Sequence, residues 1–296
     1  MFSIIIPSLN NLEYLKFCIK SIEKNSKYNH EIIVHVNIGN DGTVEFLKEN
    51  NILYTYTKYN AGICEGMNLA AKKSSFDFIL YAHDDFYFCP EWDKVLKEEI
   101  DIVGHNNFYL SGTMMNNGQI HFDCGSSVNE FDENKFLKEY KNFNFYDFQG
   151  STWAPHLIHK DLWIKIGGFS EEFFPGTGSD PDLNMKLWKY GVRIFKGIND
   201  FKVYHFGSIV TRRYKNHPTI KTESGSRGAK IFLLKWGISI EFFKKFVLKS
   251  ETNYEGELSE PKINFNYLFN LFLCKFNFLY IKYIYNFKNR NNLRNL

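Results

Sequence analysis

The chain has 296 residues and a formal net charge of +3. That length holds one large domain or one domain with an appendage, and so small a charge gives no bulk electrostatic reason for a nucleic-acid partner. Hydrophobic residues make up 44%, enough for a real core, and five scattered cysteines (Cys18, Cys64, Cys89, Cys124, Cys274) without CxxC spacing point away from disulfides or zinc and toward a reducing compartment.

Phe2–Ile6 is apolar and β-branched, a strand ended by the turn cluster Pro7–Asn10. From Asn11 to Ile22 apolar residues recur at helical spacing. Glu31–Val36 is a second strand, closed by Asn37–Asp41, and Thr43–Asn50 a helix with Thr43 as N-cap. Ile52–Thr57 is a third strand, Gly62–Lys73 a helix and Phe78–Tyr81 a fourth strand. This alternation predicts a parallel, doubly wound α/β sheet with helices on its faces. Ligands bind such sheets at the carboxyl ends of the strands, so Pro7–Asn10, Asn37–Asp41 and His83–Asp85 should share one crevice. No GxGxxG follows the first strand and no GxxxxGK[ST] occurs, which disfavours Rossmann oxidoreductases and P-loop enzymes. No basic leader-like segment precedes the first strand, and no apolar run reaches the roughly 20 residues that span a bilayer. The expected location is cytoplasmic.

Carboxylates at the end of a buried strand are costly unless something cationic compensates them. Asp84 and Asp85, at the end of FILYAHDD, are therefore either solvated turn residues or ligands of a hard divalent cation.

The succession PSLNNLEYL, NIGNDGT, NAGICEGMNLAA, ILYAHDD, then GGFSEEFFPGTGSDPDLNMKLWKYG and VYHFGS, resembles family 2 glycosyltransferases of the GT-A fold over about residues 2–213. The resemblance implies a Rossmann-like α/β fold with a mixed, mainly parallel sheet flanked by helices, and a metal-dependent, inverting transfer from a nucleoside-diphosphate sugar, most simply a UDP-sugar, to a glycan or lipid-linked acceptor. It assigns Asp85 and His205 to the metal, Mn²⁺ before Mg²⁺ because manganese accepts an imidazole more readily. A histidine on an apolar strand is equally a core residue, and the role of His83 stays open. The resemblance puts the base at Asp180 with Asp182 supporting acceptor or loop, although Ser179 or Asp180 could simply cap a helix.

For the donor, Pro7, Ser8 and Asn10 would wrap base and ribose, with Asp84 on ribose or as a water-mediated ligand of the metal. Asn37 stands where an aspartate reads the base, and its amide oxygen can still accept; Asp41 competes but suits a turn. Asn60, Gly62 and Asn68 match the NxG…N portion, whereas Met67 replaces a common Arg. A basic cluster around Arg212 is either a solvated loop or a lid over the diphosphate. Trp153 either stacks on an acceptor sugar or belongs to the core.

The pattern divides the chain into a catalytic domain at 1–215, with a nucleotide-binding half at about 1–100 and an acceptor half at about 101–215, and a helical, aromatic-rich extension at 216–296. Within the extension, 221–230 reads as a hinge, Ile231–Leu248 as a helix, Ser250–Lys262 as a linker and Ile263–Phe287 as a helix crowded with aromatics. That last helix either lies peripherally on an anionic membrane face or packs on protein. A sugar nucleotidyltransferase would want a Gly-rich basic loop after the first strand, which PSLNN lacks. The rival from another class is a catalytically inactive relative that binds glycan or organises a membrane assembly. Oligomeric state is not encoded in any motif.

Overall fold

In the computed structural model, which describes residues 1–143, 145–207 and 225–292, strands and helices alternate as the periodicity predicts. The first half contains β1 (Ser3–Leu9), α1 (Leu12–Asn25), β2 (Glu31–Asn37), α2 (Thr43–Glu49), β3 (Leu53–Thr57), α3 (Gly62–Ala71), β4 (Phe78–Tyr81), β5 (Phe86–Phe88) and α4 (Trp92–Val103). The second half adds β6 (Phe108–Asn116), α5 (Glu133–Glu139), β7 (Phe148–Gln149), β8 (His156–His159), α6 (Lys160–Ile166), α7 (Ser179–Lys189) and β9 (Ile194–His205). Two further helices are α8 (Gly225–Trp236) and α9 (Phe265–Asn292).

The nine strands form one sheet in the order β3-β2-β1-β4-β8-β6-β9-β5, with β7 paired to β9. Strands β1 to β4 are mutually parallel, and β8 enters antiparallel between β4 and β6. The register of β9 on β6 slips between Ser111 and Thr113. This lets the first part of β9 pair with β7 and its last part with β5. The core is built from the β-branched and aromatic runs; Ile4, Ile5, Ile6, Val34, Leu80, Phe88 and Trp92 are fully buried. Each such side chain contributes about 1.5–3 kcal/mol relative to exposure. All five cysteines are free and buried.

Several boundaries differ from the sequence reading. Pro7, Ser8 and Leu9 continue β1 instead of turning. Pairing to β4 stops at Ile5 while pairing to β2 continues to Leu9, and the Ile5 carbonyl faces the β4 side, where it accepts from Ala82 N–H. Residue 7 faces that same side by alternation, past the end of β4, so its missing N–H costs no ladder bond. The N-cap of α2 is Gly42, not Thr43, because φ at Gly42 is +88° and Asp41 already bonds the Thr43 hydroxyl. The hinge expected at 221–230 is helical from Gly225, and the single helix expected over Ile231–Leu248 breaks at Gly237, where φ is +73°. A short helical turn, Ile240–Phe242, and a π-helical turn, Phe243–Leu248, follow. The 215/216 division falls outside the described residues, but Phe232, Phe243 and Leu248 lie in the main core. The irregular stretch after the π turn is tied down, since Gln149 N–H donates to the Thr252 carbonyl at 2.8 Å and Leu258 N–H to the Arg193 carbonyl at 2.9 Å.

Candidate active site

The ends of β1, β2 and β4 converge as the topology requires. Ser8 Oγ donates to Asp84 Oδ2 at 2.7 Å in a buried bond, and Asn40 N–H donates to Asn10 Oδ1 at 2.9 Å. The three turns therefore line one crevice.

Strand pairing brings His205 to Asp85. Phe86 in β5 sits opposite His205 in β9, which places His205 Nε2 3.5 Å from Asp85 Oδ2. His83 Nδ1 lies 4.0 Å from the other oxygen of Asp85. One ligand atom from each of His83, Asp85 and His205 falls within 4.8 Å of the others. His205 Nδ1 is 2.8 Å from the Asn117 carbonyl, which can only accept, so that nitrogen carries a proton; Nε2 faces the Asp85 carboxylate, to which it donates when protonated and beside which, deprotonated, it could ligate a cation. The Asn117 side chain clamps the same strand end, donating to the carbonyls of His205 and Phe206 at 3.0 and 3.1 Å. Burial acts to raise the pKa of Asp85, but the hydrogen bond from His205 and the electrostatic influence of the two neighbouring imidazoles outweigh it and hold the carboxyl below its ordinary value. His83 keeps a third of its side chain open and stacks on Phe86 with ring centroids 4.8 Å apart; desolvation lowers its pKa to about 4 against the pull of Asp85. An ionised carboxylate and two imidazoles, one held by a backbone carbonyl, fit a divalent cation.

The second acidic element is built differently. Gly178, at φ +86°, is the N-cap of α7, so Ser179 and Asp180 are its first helical residues and neither is the cap. Ser179 Oγ turns back to the Gly176 carbonyl at 2.6 Å. Asp180 Oδ1 is buried without a hydrogen-bond partner and lies 3.9 Å from His156 Nδ1. His156 is 1% exposed and neither ring nitrogen is hydrogen-bonded; Tyr81 Oη, Ser151 Oγ and Asn184 Oδ1 are also buried and unpartnered. Burial pushes the Asp180 carboxyl up to about 7, opposed by one backbone bond. Burial likewise lowers His156 to about 3, so that ring is neutral. Tyr81 stands between the two groups of residues, its ring centroid 5.1 Å from that of His156 and 5.3 Å from that of His83. Native interiors leave few buried polar atoms unpaired; here five residues that do so sit together.

Other expected site residues are tied into the scaffold. Asn37 Oδ1 accepts from Ala61 N–H at 2.7 Å, which uses one of its two lone pairs to fix the turn into α3. Asn60 Oδ1 accepts from Gly62 N–H at 3.0 Å. Gly62, at φ +71°, has no room for a Cβ, which would come 2.7 Å from the Pro175 carbonyl. Asn68 bridges the two halves: Phe169 N–H donates to its Oδ1 and its Nδ2 donates to the Phe169 carbonyl, both at 2.9 Å. Asp182 is corrected as an acceptor contact. It is wholly buried, bonded by Ser170 Oγ at 2.5 Å and Trp236 Nε1 at 2.7 Å and paired with Lys235 at 3.0 Å; it anchors α8. Asp41 is a turn residue, accepting from Leu12 N–H at 2.8 Å, and Met67 is fully buried. Trp153 is half-buried, stacked on Phe148 at 5.3 Å, and Arg212 lies outside the described residues. Sequence reasoning missed His156 and Asn117; one opens β8 and the other follows β6, strands whose pairing it did not resolve.

Comparison with known proteins agrees with this geometry. Residues 3–155 match the model of glycosyl transferase family 2. An uncharacterized glycosyltransferase of Haemophilus influenzae is 25% identical over 174 residues, covering 57% of this chain and 56% of that protein. One of Rickettsia bellii is 30% identical over 118 residues, covering 38% of this chain but only 16% of that protein. Among solved structures, S. aureus TarS superposes with a TM-score of 0.52 at 16% identity, covering 78% of this chain and 42% of TarS. A TarS 1–349 structure in complex with UDP-GlcNAc gives a TM-score of 0.51 at 15% identity, covering 78% of this chain and 70% of that one. Identity this low supports the fold alone, and the fold is the expected GT-A type.

Proposed function

The chain belongs to glycosyl transferase family 2, and from that premise we propose that it moves a sugar from a UDP-sugar to a glycan or lipid-linked acceptor, with inversion at the anomeric carbon. The observation that carries the proposal is the pairing of an ionised Asp85, flanked by His83 and His205, with a carboxyl of pKa about 7 at Asp180, on the two sides of Tyr81. In this reading His83, Asp85 and His205 hold a divalent cation, and two imidazoles beside one carboxylate favour Mn²⁺ over Mg²⁺. Such a cation supplies charge neutralisation to the departing diphosphate. Ser8, Asn10 and Asp84 line the nucleoside side, with the backbone of Pro7; Asn37, Asn60, Gly62 and Asn68 shape that side from behind. UDP is chosen as the donor's nucleotide because solved TarS structures contain UDP and UDP-GlcNAc.

Asp180 is the general base. Its carboxylate takes the proton of the acceptor hydroxyl while that oxygen attacks the anomeric carbon. The bond from that carbon to the diphosphate oxygen breaks on the opposite face, and its electron pair leaves with the nucleotide. A base of pKa about 7 suits neutral pH. The unpartnered Tyr81 Oη, Ser151 Oγ and Asn184 Oδ1 offer hydrogen bonds to acceptor hydroxyls or ordered water. Trp153 borders that side. Residues 1–215 form the catalytic unit and 216–296 its extension, working on the cytoplasmic side.

Thermal unfolding of the protein with UDP-, GDP-, dTDP- and CMP-sugars, each with Mn²⁺, Mg²⁺ or chelator, tests this. A native-state ligand raises the midpoint in proportion to the logarithm of its concentration over its dissociation constant. Stabilisation by a UDP-sugar with Mn²⁺ that chelator abolishes is expected. No stabilisation by any donor would favour the inactive, glycan-binding relative.

A further inference from the structure

Helix α9 runs from Phe265 to Asn292 and carries two apolar faces. One is satisfied: Tyr267, Leu271, Cys274, Phe278 and Ile281 pack against Leu233, Phe242 and their neighbours. Cys274 Sγ also accepts from Ser239 N–H at 3.3 Å. The other face is exposed. Phe265, Phe269, Phe272, Phe276 and Leu279 recur at alternating spacings of four and three, which aligns them on a helix of about 3.6 residues per turn. Each is more than half exposed, from 52% at Phe269 to 83% at Phe265.

The borders of that face identify its occupant. The helical projection places Lys275 and Lys282 along one border and Asn266, Asn270 and Asn277 along the other. Residues 261–296 contain six Lys or Arg (Lys262, Lys275, Lys282, Lys288, Arg290, Arg294) and no Asp or Glu. We propose that this outward face of α9 docks the protein flat on an anionic lipid surface, with the aromatic stripe at the level of the acyl–headgroup boundary and the lysines reaching to the headgroups. Aromatic and leucine side chains suit that depth, and long cationic stems extend to the polar layer. A second copy of the helix is the weaker occupant, because coiled-coil seams are flanked by opposite charges and this segment has cations alone. Among the described residues no helix is long and apolar enough to cross a membrane. The docking does not depend on the chemistry in the crevice.

Flotation of the full chain with vesicles of phosphatidylcholine plus phosphatidylglycerol, against phosphatidylcholine alone, tests it. The protein should float with the anionic vesicles and be released as salt rises. The double variant Lys275→Gln/Lys282→Gln should weaken binding about 25-fold, roughly fivefold for each lysine. Phe272→Ser/Leu279→Ser should weaken it at least about tenfold. Both pairs of side chains point outward, so unfolding midpoints should stay at the wild-type value. No flotation with anionic vesicles overturns the proposal. So does equal binding to neutral vesicles, or a doubled solution mass that Phe272→Ser/Leu279→Ser returns to that of one chain without any vesicle binding.

Discussion

The two acidic corners of the crevice solve the problem of buried charge in opposite ways. Around Asp85, each group is committed: His205 is oriented by the Asn117 carbonyl, His83 stacks on Phe86, and Asp84 holds Ser8. Around Asp180, buried polar atoms of five neighbouring residues, Tyr81 Oη, Ser151 Oγ, both ring nitrogens of His156, Asp180 Oδ1 and Asn184 Oδ1, have no hydrogen-bond partner. A fixed corner suits a constant ligand such as a diphosphate with its cation, whereas an unsatisfied corner suits groups that arrive with each acceptor. Buried unpaired polar atoms cost about 1–3 kcal/mol each, so the second corner gives up stability that the first retains.

The largest effect should come from removing the ionisable group at the unsatisfied corner. Asp180→Asn should lower transfer by about 10²–10⁴-fold, the usual contribution of general base catalysis, as measured by sugar transfer to acceptor at saturating donor. An unchanged rate would remove Asp180 from the reaction.

The same carboxyl sets the pH response. Transfer should rise with pH through about 7 and level off above it, because Asp180 must be ionised to take a proton. His83 and His156, at about 4 and about 3, are neutral across that range and add no step. The sign for stability is reversed. A carboxyl whose folded pKa is raised from 3.8 to about 7 contributes most below pH 3.8, and that contribution declines as pH rises to about 7. Asp180→Asn should flatten this part of a stability–pH curve.

Between the corners, Gly62→Ala tests the joint. A Cβ at φ +71° and 2.7 Å from the Pro175 carbonyl should cost about 1–3 kcal/mol, visible as a lowered unfolding midpoint. The smallest effect is expected for His156→Phe, which removes two unpaired buried nitrogens. Its midpoint should rise by a few degrees at most, given about 2–4 °C per kcal/mol for domains of 150–250 residues and less for longer chains. A lowered midpoint would mean that the ring nitrogens are satisfied by ordered water.

The parallel half of the fold was legible because β-branched runs and 3.6-residue periodicity are local signals; β2, α1 and β4 appear within a few residues of where the pattern puts them. Strand order beyond β4 was not. The pairing of β5 with β9 joins residues more than a hundred positions apart, and no local pattern encodes it, so His205 was reachable only through family resemblance. Asn37 shows what the sequence could not: a backbone N–H in the next turn takes one of the two lone pairs of its amide oxygen. Asp182 likewise read as a site residue because the partners that bury it, Lys235 and Trp236, lie fifty residues downstream. The aromatic helix allowed two readings because it has two faces, one packed and one exposed.

Calorimetric titration of a UDP-sugar with Mn²⁺ into the wild type, Asp85→Asn and Asp180→Asn tests the division of labour most directly. The account predicts that Asp85→Asn loses the cation-dependent part of donor binding while Asp180→Asn binds donor as the wild type does. Equal loss of donor affinity in both variants would contradict it.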